Sequence, residues 1–118
     1  MIFLIKLKRV YQPSIAEDGF RILIDRLWPR GMSKEKASLS LWLKDIAPSE
    51  ELRQWFSHNP ERWNEFKEKY IKELSEKKDL IAQIKQLEKK HCVLTLIYSS
   101  RDILHNNAVV LKNELERQ

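Results

Sequence analysis

The chain has 118 residues, of which 33% are charged and 42% hydrophobic, and this composition is typical of a soluble globular protein. No segment approaches the ~18 consecutive apolar residues that a membrane-spanning helix needs, so that class of protein is excluded. The net charge of +5 favours an anionic partner, although charge alone does not separate a small phosphate ester from a nucleic acid.

Alternating apolar and polar residues predict a half-exposed strand over residues 3–9. A short apolar run predicts a second strand over residues 20–25, and a further alternation predicts a third strand or extended segment over residues 39–43. Residues 93–98 are apolar on both faces, as expected for a strand buried inside a parallel sheet. The sequence therefore predicts about four strands.

Helices are predicted over the segment 49–90, between the third and fourth strands. Ser49 is followed by two glutamates and has the pattern of a helix N-cap. Asn59-Pro60 repeats this start signal, with proline at the first helical position. Apolar residues then recur at spacings of three and four, which fits one long helix or two consecutive helices equally well. A last helix is predicted from about Ile103.

Strands separated by helices need crossover connections, which favour a mostly parallel sheet with right-handed connections. We therefore predict a single α/β domain over residues 1–118, with flanking helices and a helical segment at 49–90. In such a sheet all strands end at one edge, and ligands bind outside that edge.

Few residues offer metal or cofactor chemistry. Cys92 is the only cysteine, which excludes an internal disulfide and a cysteine-rich metal site. Its apolar surroundings predict a buried thiol, and a lone cysteine favours a reducing, cytoplasmic compartment. The histidines have no metal-ligand spacing with one another, and two glycines cannot build a phosphate cradle, so we predict no metal and no cofactor. The histidines are His58, His91 and His105.

The segment between the only two glycines, Gly19 and Gly31, is the most informative, because its strand ends in a cluster of charges. Asp25 is the candidate catalytic residue, as a counterion of nearby arginines or as a proton acceptor. Arginine forks match phosphate oxygens in a bidentate manner. The candidate ligand-binding residues are the polar and aromatic side chains expected near the strand ends: Arg9, Tyr11, Arg26, Trp28, Arg30, Lys44, Tyr98 and Asn106.

Each candidate also has a structural interpretation. Asp25 and the arginines would fit an internal network that holds loops in place. Trp28 and Trp42 would fit either stacking on a nucleobase or packing against the core. Three functions stay open: binding of a phosphorylated or nucleotide-like ligand, with or without catalysis; a nucleic-acid-associated module; and a non-catalytic structural or partner-binding domain.

The chain resembles the bacterial YeaO-like proteins, a branch of the family called domain of unknown function 488 (DUF488). The motifs that carry the resemblance are Lys8-Arg9-Val10-Tyr11, Asp18-Gly19, Arg21-Ile22-Leu23, Asp25-Arg26-Leu27-Trp28-Pro29-Arg30-Gly31, Trp42-x-Lys44, Ala47-Pro48-Ser49, Leu52-Arg53, and Leu96-Ile97-Tyr98 followed by Asn106. The resemblance implies an α/β fold with a helical insertion, and it marks the Arg/Asp/Trp cluster as the site, but it implies no particular reaction. Ser40 stands where relatives often have aspartate. Asn107 stands where the family motif has histidine, so a role for that histidine does not transfer.

Overall fold

A computed structural model describes residues 2–117 and shows a four-stranded sheet. Its strands are β1 (Leu4–Arg9), β2 (Phe20–Leu23), β3 (Leu41–Trp42) and β4 (Val93–Tyr98). The strand order is β1-β4-β2-β3, and all three neighbouring pairs are parallel. The predicted α/β fold is confirmed, although β2 and β3 are shorter than the expected ranges 20–25 and 39–43.

The helices follow the predicted start signals closely. They are α1 (Lys34–Ala37), α2 (Glu50–Phe56), α3 (Trp63–Ser75), α4 (Lys78–His91) and α5 (Asn107–Arg117). The Ser49 hydroxyl accepts a hydrogen bond from the Leu52 N–H at 3.1 Å, which confirms it as the N-cap of α2. Asn59 caps a short 3-10 turn that leads into α3. The segment that fitted one or two helices contains two, because the chain leaves helical structure after α3 and re-enters it at α4.

The last helix begins later than predicted, at Asn107 rather than near Ile103. The Asp102 carboxylate accepts hydrogen bonds from the N–H groups of Leu104 (2.9 Å) and His105 (3.0 Å), which holds this segment as a turn. The prediction failed because an aspartate that binds nearby backbone N–H groups competes with helix formation. None of the helices in residues 2–117 is both long and apolar enough to cross a bilayer.

The sheet has a different core on each face, because successive side chains of a strand point to opposite sides. On one face Ile22 and Leu96 join a large core with helices α2 to α5. On the other face Leu23 and Ile97 join a smaller core that the loops after β1 and β2 cover. Cys92 lies at the junction of α4 and β4, where it is half-buried rather than buried as predicted.

A buried ion cluster lies at the start of β2. Arg21 and Asp18 are each 3% exposed, and the Arg21 Nη1 lies 2.6 Å from the Asp18 Oδ2. The Lys8 Nζ lies 3.0 Å from the same oxygen. The remaining guanidinium donors of Arg21 reach the carbonyl oxygens of Ala37 (2.7 Å) and Ser38 (3.0 Å). This cluster links the turn before β2 to β1 and to the end of α1.

Candidate functional site

Because the strands are parallel, their carboxyl ends meet at one edge of the sheet, as predicted. A cavity of about 120 Å³ opens there, between the ends of β2 and β4 and the helices α2, α3 and α5. Its wall combines charged, polar and aromatic groups. The lining residues are Asp25, Arg26, Leu27, Ala47, Pro48, Arg53, Phe56, His58, Phe66, Ser99, Ser100, His105, Asn106 and Asn107.

Asp25 lies in this wall, and only neutral groups donate hydrogen bonds to its carboxylate. The Oδ2 accepts from the N–H (2.9 Å) and the hydroxyl (2.8 Å) of Ser99. The Oδ1 accepts from the Asn107 Nδ2 at 3.1 Å. Within the described chain Asp25 forms no ion pair, so the expectation that it serves as the direct counterion of an arginine was wrong. Ser99 takes that place because it begins the loop at the end of the neighbouring strand β4.

Arg26 also lies in the wall and is half-buried. Its guanidinium donates to the carbonyl oxygens of Pro48 (Nε, 3.2 Å) and Ala47 (Nη2, 3.4 Å). It forms no ion pair with any carboxylate of residues 2–117. A guanidinium has five N–H donors, so Arg26 is held in place and still has donors for a ligand.

The charges of Asp25 and Arg26 also influence two groups outside the cavity lining, the buried Tyr70 and the half-buried Lys77. The Tyr70 hydroxyl donates to the Ile46 carbonyl oxygen at 2.7 Å. Burial raises the pKa of Tyr70 well above its ordinary value, the negative charge of Asp25 adds to the increase, and Arg26 opposes it. Burial also lowers the pKa of Lys77, whose Nζ donates to the Ala47 carbonyl oxygen that Arg26 shares. The charges of Asp25 and Arg26 therefore influence the pKa of Tyr70, a residue of the large core.

Arg9, Tyr11 and Arg30 form a chain of contacts outside the cavity lining. The Arg9 guanidinium donates to the carbonyl oxygens of Ser100 (2.8 Å) and Ser99 (3.1 Å), so it fixes the loop that forms one cavity wall. It also lies 5.0 Å from the centre of the Tyr11 ring. The Tyr11 hydroxyl donates to the Arg30 carbonyl oxygen at 2.9 Å, while the Arg30 side chain is exposed.

Trp28 packs against the smaller core and Lys44 is exposed beside Trp42, and neither residue lines the cavity. The Trp28 indole N–H donates to the Met32 carbonyl oxygen at 2.7 Å. Its ring meets that of Trp42 edge-on at 5.4 Å between centres, and the Lys44 Nζ lies 5.2 Å from the centre of the Trp42 ring. These contacts agree with the packing interpretation of both tryptophans.

Asn106 lines the cavity, and its neighbour Tyr98 does not. Tyr98 is buried in the large core. Burial raises its pKa, while the charge of Arg9 and a hydrogen bond with Asn106 act in the opposite direction. Asn106 lines the cavity and caps α5, because its Oδ1 accepts from the Val109 N–H at 3.2 Å. Of the nine predicted site residues, the structure therefore brings Asp25, Arg26 and Asn106 to the cavity lining. The other six, Arg9, Tyr11, Trp28, Arg30, Lys44 and Tyr98, do not line it.

Several lining residues were not among the predicted site residues. Phe56 and Phe66, which belong to the apolar pattern of the helical segment, stack at 4.3 Å between ring centres. Arg53 forms an exposed ion pair with Glu50, with 2.5 Å between its Nη2 and the Glu50 Oε1. The Nδ1 of His105 lies 2.9 Å from the Asp102 Oδ2. Ser99 and Ser100, the two polar residues directly after β4, were a sequence signal for the cavity wall. The apolar periodicity of the helices gives no such signal, because it is the same for a cavity wall and for ordinary core.

The part of the chain that the structure describes holds no cluster of histidine, cysteine, aspartate and glutamate suited to a metal ion. The cavity lining contains one carboxylate, Asp25, and two guanidinium groups, Arg26 and Arg53, and in residues 2–117 Asp25 forms an ion pair with neither of them.

Comparison with known proteins identifies the family. A family model described as the inactive DUF488-N3 subclade matches residues 4–118, and the chain belongs to this family. The uncharacterised protein YeaO of Escherichia coli K12 is 41% identical over 111 residues, which cover 94% of this chain and 96% of YeaO. An uncharacterised protein of Mycobacterium tuberculosis is 38% identical over 107 residues, which cover 91% of this chain and 89% of that protein. No solved structure matches the chain.

Proposed function

We propose that this member of the DUF488 family binds a small phosphorylated ligand in the cavity at the ends of β2 and β4, with Arg26 as the main contact to the anion. One observation carries the proposal: a guanidinium in the cavity wall is fixed by two carbonyl oxygens and has no carboxylate partner among the described residues. A fixed cation of this kind loses little conformational freedom on binding, which increases affinity.

The size of the cavity limits the ligand. Pockets that enclose drug-sized molecules measure roughly 300–1,000 Å³, whereas this cavity measures about 120 Å³. It has room for a phosphoryl group with a short organic part. A nucleotide-like ligand would place its phosphate here and leave its base outside.

Binding without catalysis has better support than catalysis. The relatives' family description carries the word inactive. The Asn107 amide donates to Asp25 at the position where the resembled motif has histidine, and an amide does not act as a general acid or base at neutral pH. A catalytic role for Asp25 stays a prediction. We also propose a cytoplasmic location, because a single cysteine favours a reducing compartment.

The nucleic-acid alternative has less support in the geometry. Trp28 packs against Trp42 and donates its N–H internally, so it presents no free stacking platform. Salt dependence separates the two functions. The affinity of a nucleic-acid binder falls by nearly one logarithmic unit per phosphate contact for each tenfold increase in salt, and a site for one small anion shows a much shallower slope.

Arg26→Gln tests the proposal, with Arg101→Gln as the matched control. Arg101 is exposed on the loop after β4 and does not line the cavity, so it removes the same charge at the same end of the sheet. Titration calorimetry and thermal shift with inorganic phosphate should show binding by the wild type and by Arg101→Gln. We expect binding at least ~10-fold weaker in Arg26→Gln, the loss of about 1.4 kcal/mol for a hydrogen bond to a charged group.

Two results would contradict this function. Equal affinity in Arg26→Gln and the wild type would remove the proposed contact. An equal loss in both variants would mean that phosphate senses only the overall positive charge.

A further inference from the structure

We propose that the ligand of this cavity is a zwitterion, a short aminoalkyl phosphate whose phosphoryl group contacts Arg26 and whose ammonium group contacts Asp25. This inference rests on the proposed function and adds the second half of the ligand.

The cavity holds two opposite charges that do not neutralise each other. Arg26 donates to the carbonyl oxygens of Ala47 and Pro48, and Asp25 accepts from Ser99 and Asn107. In residues 2–117 no ion pair joins these two charges or takes either of them elsewhere. Each charge is thus fixed by neutral groups and kept apart from the other. A ligand with both signs would pair both charges at once.

The other guanidinium in the wall does not change this balance. Arg53 forms a two-point contact with the Glu50 carboxylate, through Nη2 at 2.5 Å and Nε at 3.3 Å. A purely anionic ligand would therefore meet one guanidinium without a carboxylate partner in the described chain, together with the repulsion of Asp25. An ammonium group on the same ligand converts that repulsion into attraction.

The wall beside Asp25 has more acceptors than donors. A carboxylate offers about four lone-pair sites, and the Asp25 Oδ1 accepts only from Asn107. The Asn107 Nδ2 donates to Asp25 (3.1 Å) and to the Ile24 carbonyl oxygen (3.2 Å), while its own Oδ1 has no donor within the described residues. An ammonium group brings three donors and a positive charge, which meets both requirements.

The experiment compares one zwitterionic phosphate ester with two esters that lack its positive charge, the first of nearly the same shape and the second bulkier by an acetyl group. These are O-phosphoethanolamine, 2-hydroxyethyl phosphate, in which a hydroxyl replaces the ammonium, and N-acetyl phosphoethanolamine, in which the charge is removed. By titration calorimetry the wild type should bind O-phosphoethanolamine at least ~10-fold more tightly than either analogue, because only it can pair with Asp25.

Asp25→Asn provides an independent readout. The variant should lose the preference for the ammonium ligand, so that the affinity ratio falls to below about 3. It should also bind inorganic phosphate more tightly than the wild type, because a negative charge has left the cavity. If this variant does not fold, the affinity ratios of the wild type still decide the question.

The two proposals fail in different ways. If inorganic phosphate and all three esters fail to bind, or bind equally to Arg26→Gln, the proposed function is wrong and this inference falls with it. If the esters bind through Arg26 with equal affinities, the phosphate site stands and the ammonium contact is overturned.

Discussion

Aspartate and arginine occur at both ends of β2, but they form ion pairs at only one of them. At its start, Asp18 pairs with Arg21 and Lys8 in a buried cluster. At its end, Asp25 and Arg26 lie in one cavity wall, and each is held by neutral groups instead of the other. The same kinds of side chain therefore form ion pairs at one end of the strand and line a cavity without ion-pair partners in the described chain at the other.

Burial explains the difference. Arg21 is 3% exposed, and a guanidinium at that depth is stable only when it is paired and its donors are satisfied. Arg26 is half-buried beside an open cavity, where solvent or a ligand reaches its free donors. A charge is left unpaired here only where something from outside can reach it.

Neutralising Arg21 and Arg26 in turn should give the largest difference in stability between the two ends of β2. Arg21→Gln leaves Asp18 and Lys8 buried with an incomplete partner set, and we expect a loss of about 3–5 kcal/mol in the free energy of unfolding. Arg26→Gln removes two hydrogen bonds at a half-exposed position, and we expect a loss of about 1 kcal/mol. Urea denaturation at pH 7 measures both. Equal costs would mean that the end of β2 is part of the scaffold as well.

The two glycines give a smaller, matched comparison of the same regions. A Cβ at Gly19, where φ is +65°, would lie 2.3 Å from the Val93 carbonyl oxygen, whereas a Cβ at Gly31, where φ is +74°, would meet nothing within 4 Å. We expect Gly19→Ala to cost about 3 kcal/mol, from backbone strain and a clash, and Gly31→Ala to cost about 1 kcal/mol, from strain alone. Thermal and urea unfolding provide the measurement. A larger loss of stability for Gly31→Ala than for Gly19→Ala would contradict this comparison and show that the loop after β2 contributes more to folding than its contacts indicate.

Much of this architecture was predictable because it depends on local signals. The apolar run of β4 and the N-cap at Ser49 each depend on neighbouring residues, and parallel pairing follows from the helices between strands. That pairing also predicted correctly that Asp25 and the residues after β4 meet at one edge. The start of α5 was misplaced because the apolar pattern says nothing of the Asp102 turn.

Side-chain partners could not be read in the same way. Lys8 meets Asp18 across ten residues, and whether an arginine is paired or available depends on burial that no local pattern records. Asp18-Gly19 and Asp25-Arg26 both belong to the motifs that carry the family resemblance. In the structure the first pair belongs to the scaffold, while the second lines the cavity.

Acid titration provides the finest distinction, because it acts on the Asp18 cluster through protonation alone. Burial by itself would raise the pKa of Asp18, but hydrogen bonds from the Ile15 N–H, Lys8 and Arg21 outweigh burial, so its pKa lies below the ordinary value of 3.8. A carboxyl group whose native pKa is lowered stabilises the fold fully above its unfolded pKa, and that contribution is lost as the pH falls through the native value.

The free energy of unfolding, measured in urea between pH 7 and pH 2, should therefore fall with acid more steeply for the wild type than for Asp18→Asn. The difference in free energy of unfolding between the wild type and Asp18→Asn should stay constant above about pH 5, where Asp18 is ionised in both the unfolded and the native state. That difference should narrow below pH 4. Parallel curves down to pH 2 would show that the ionised form of Asp18 has no advantage in the native state, and the contrast between the two ends of β2 would then reduce to packing.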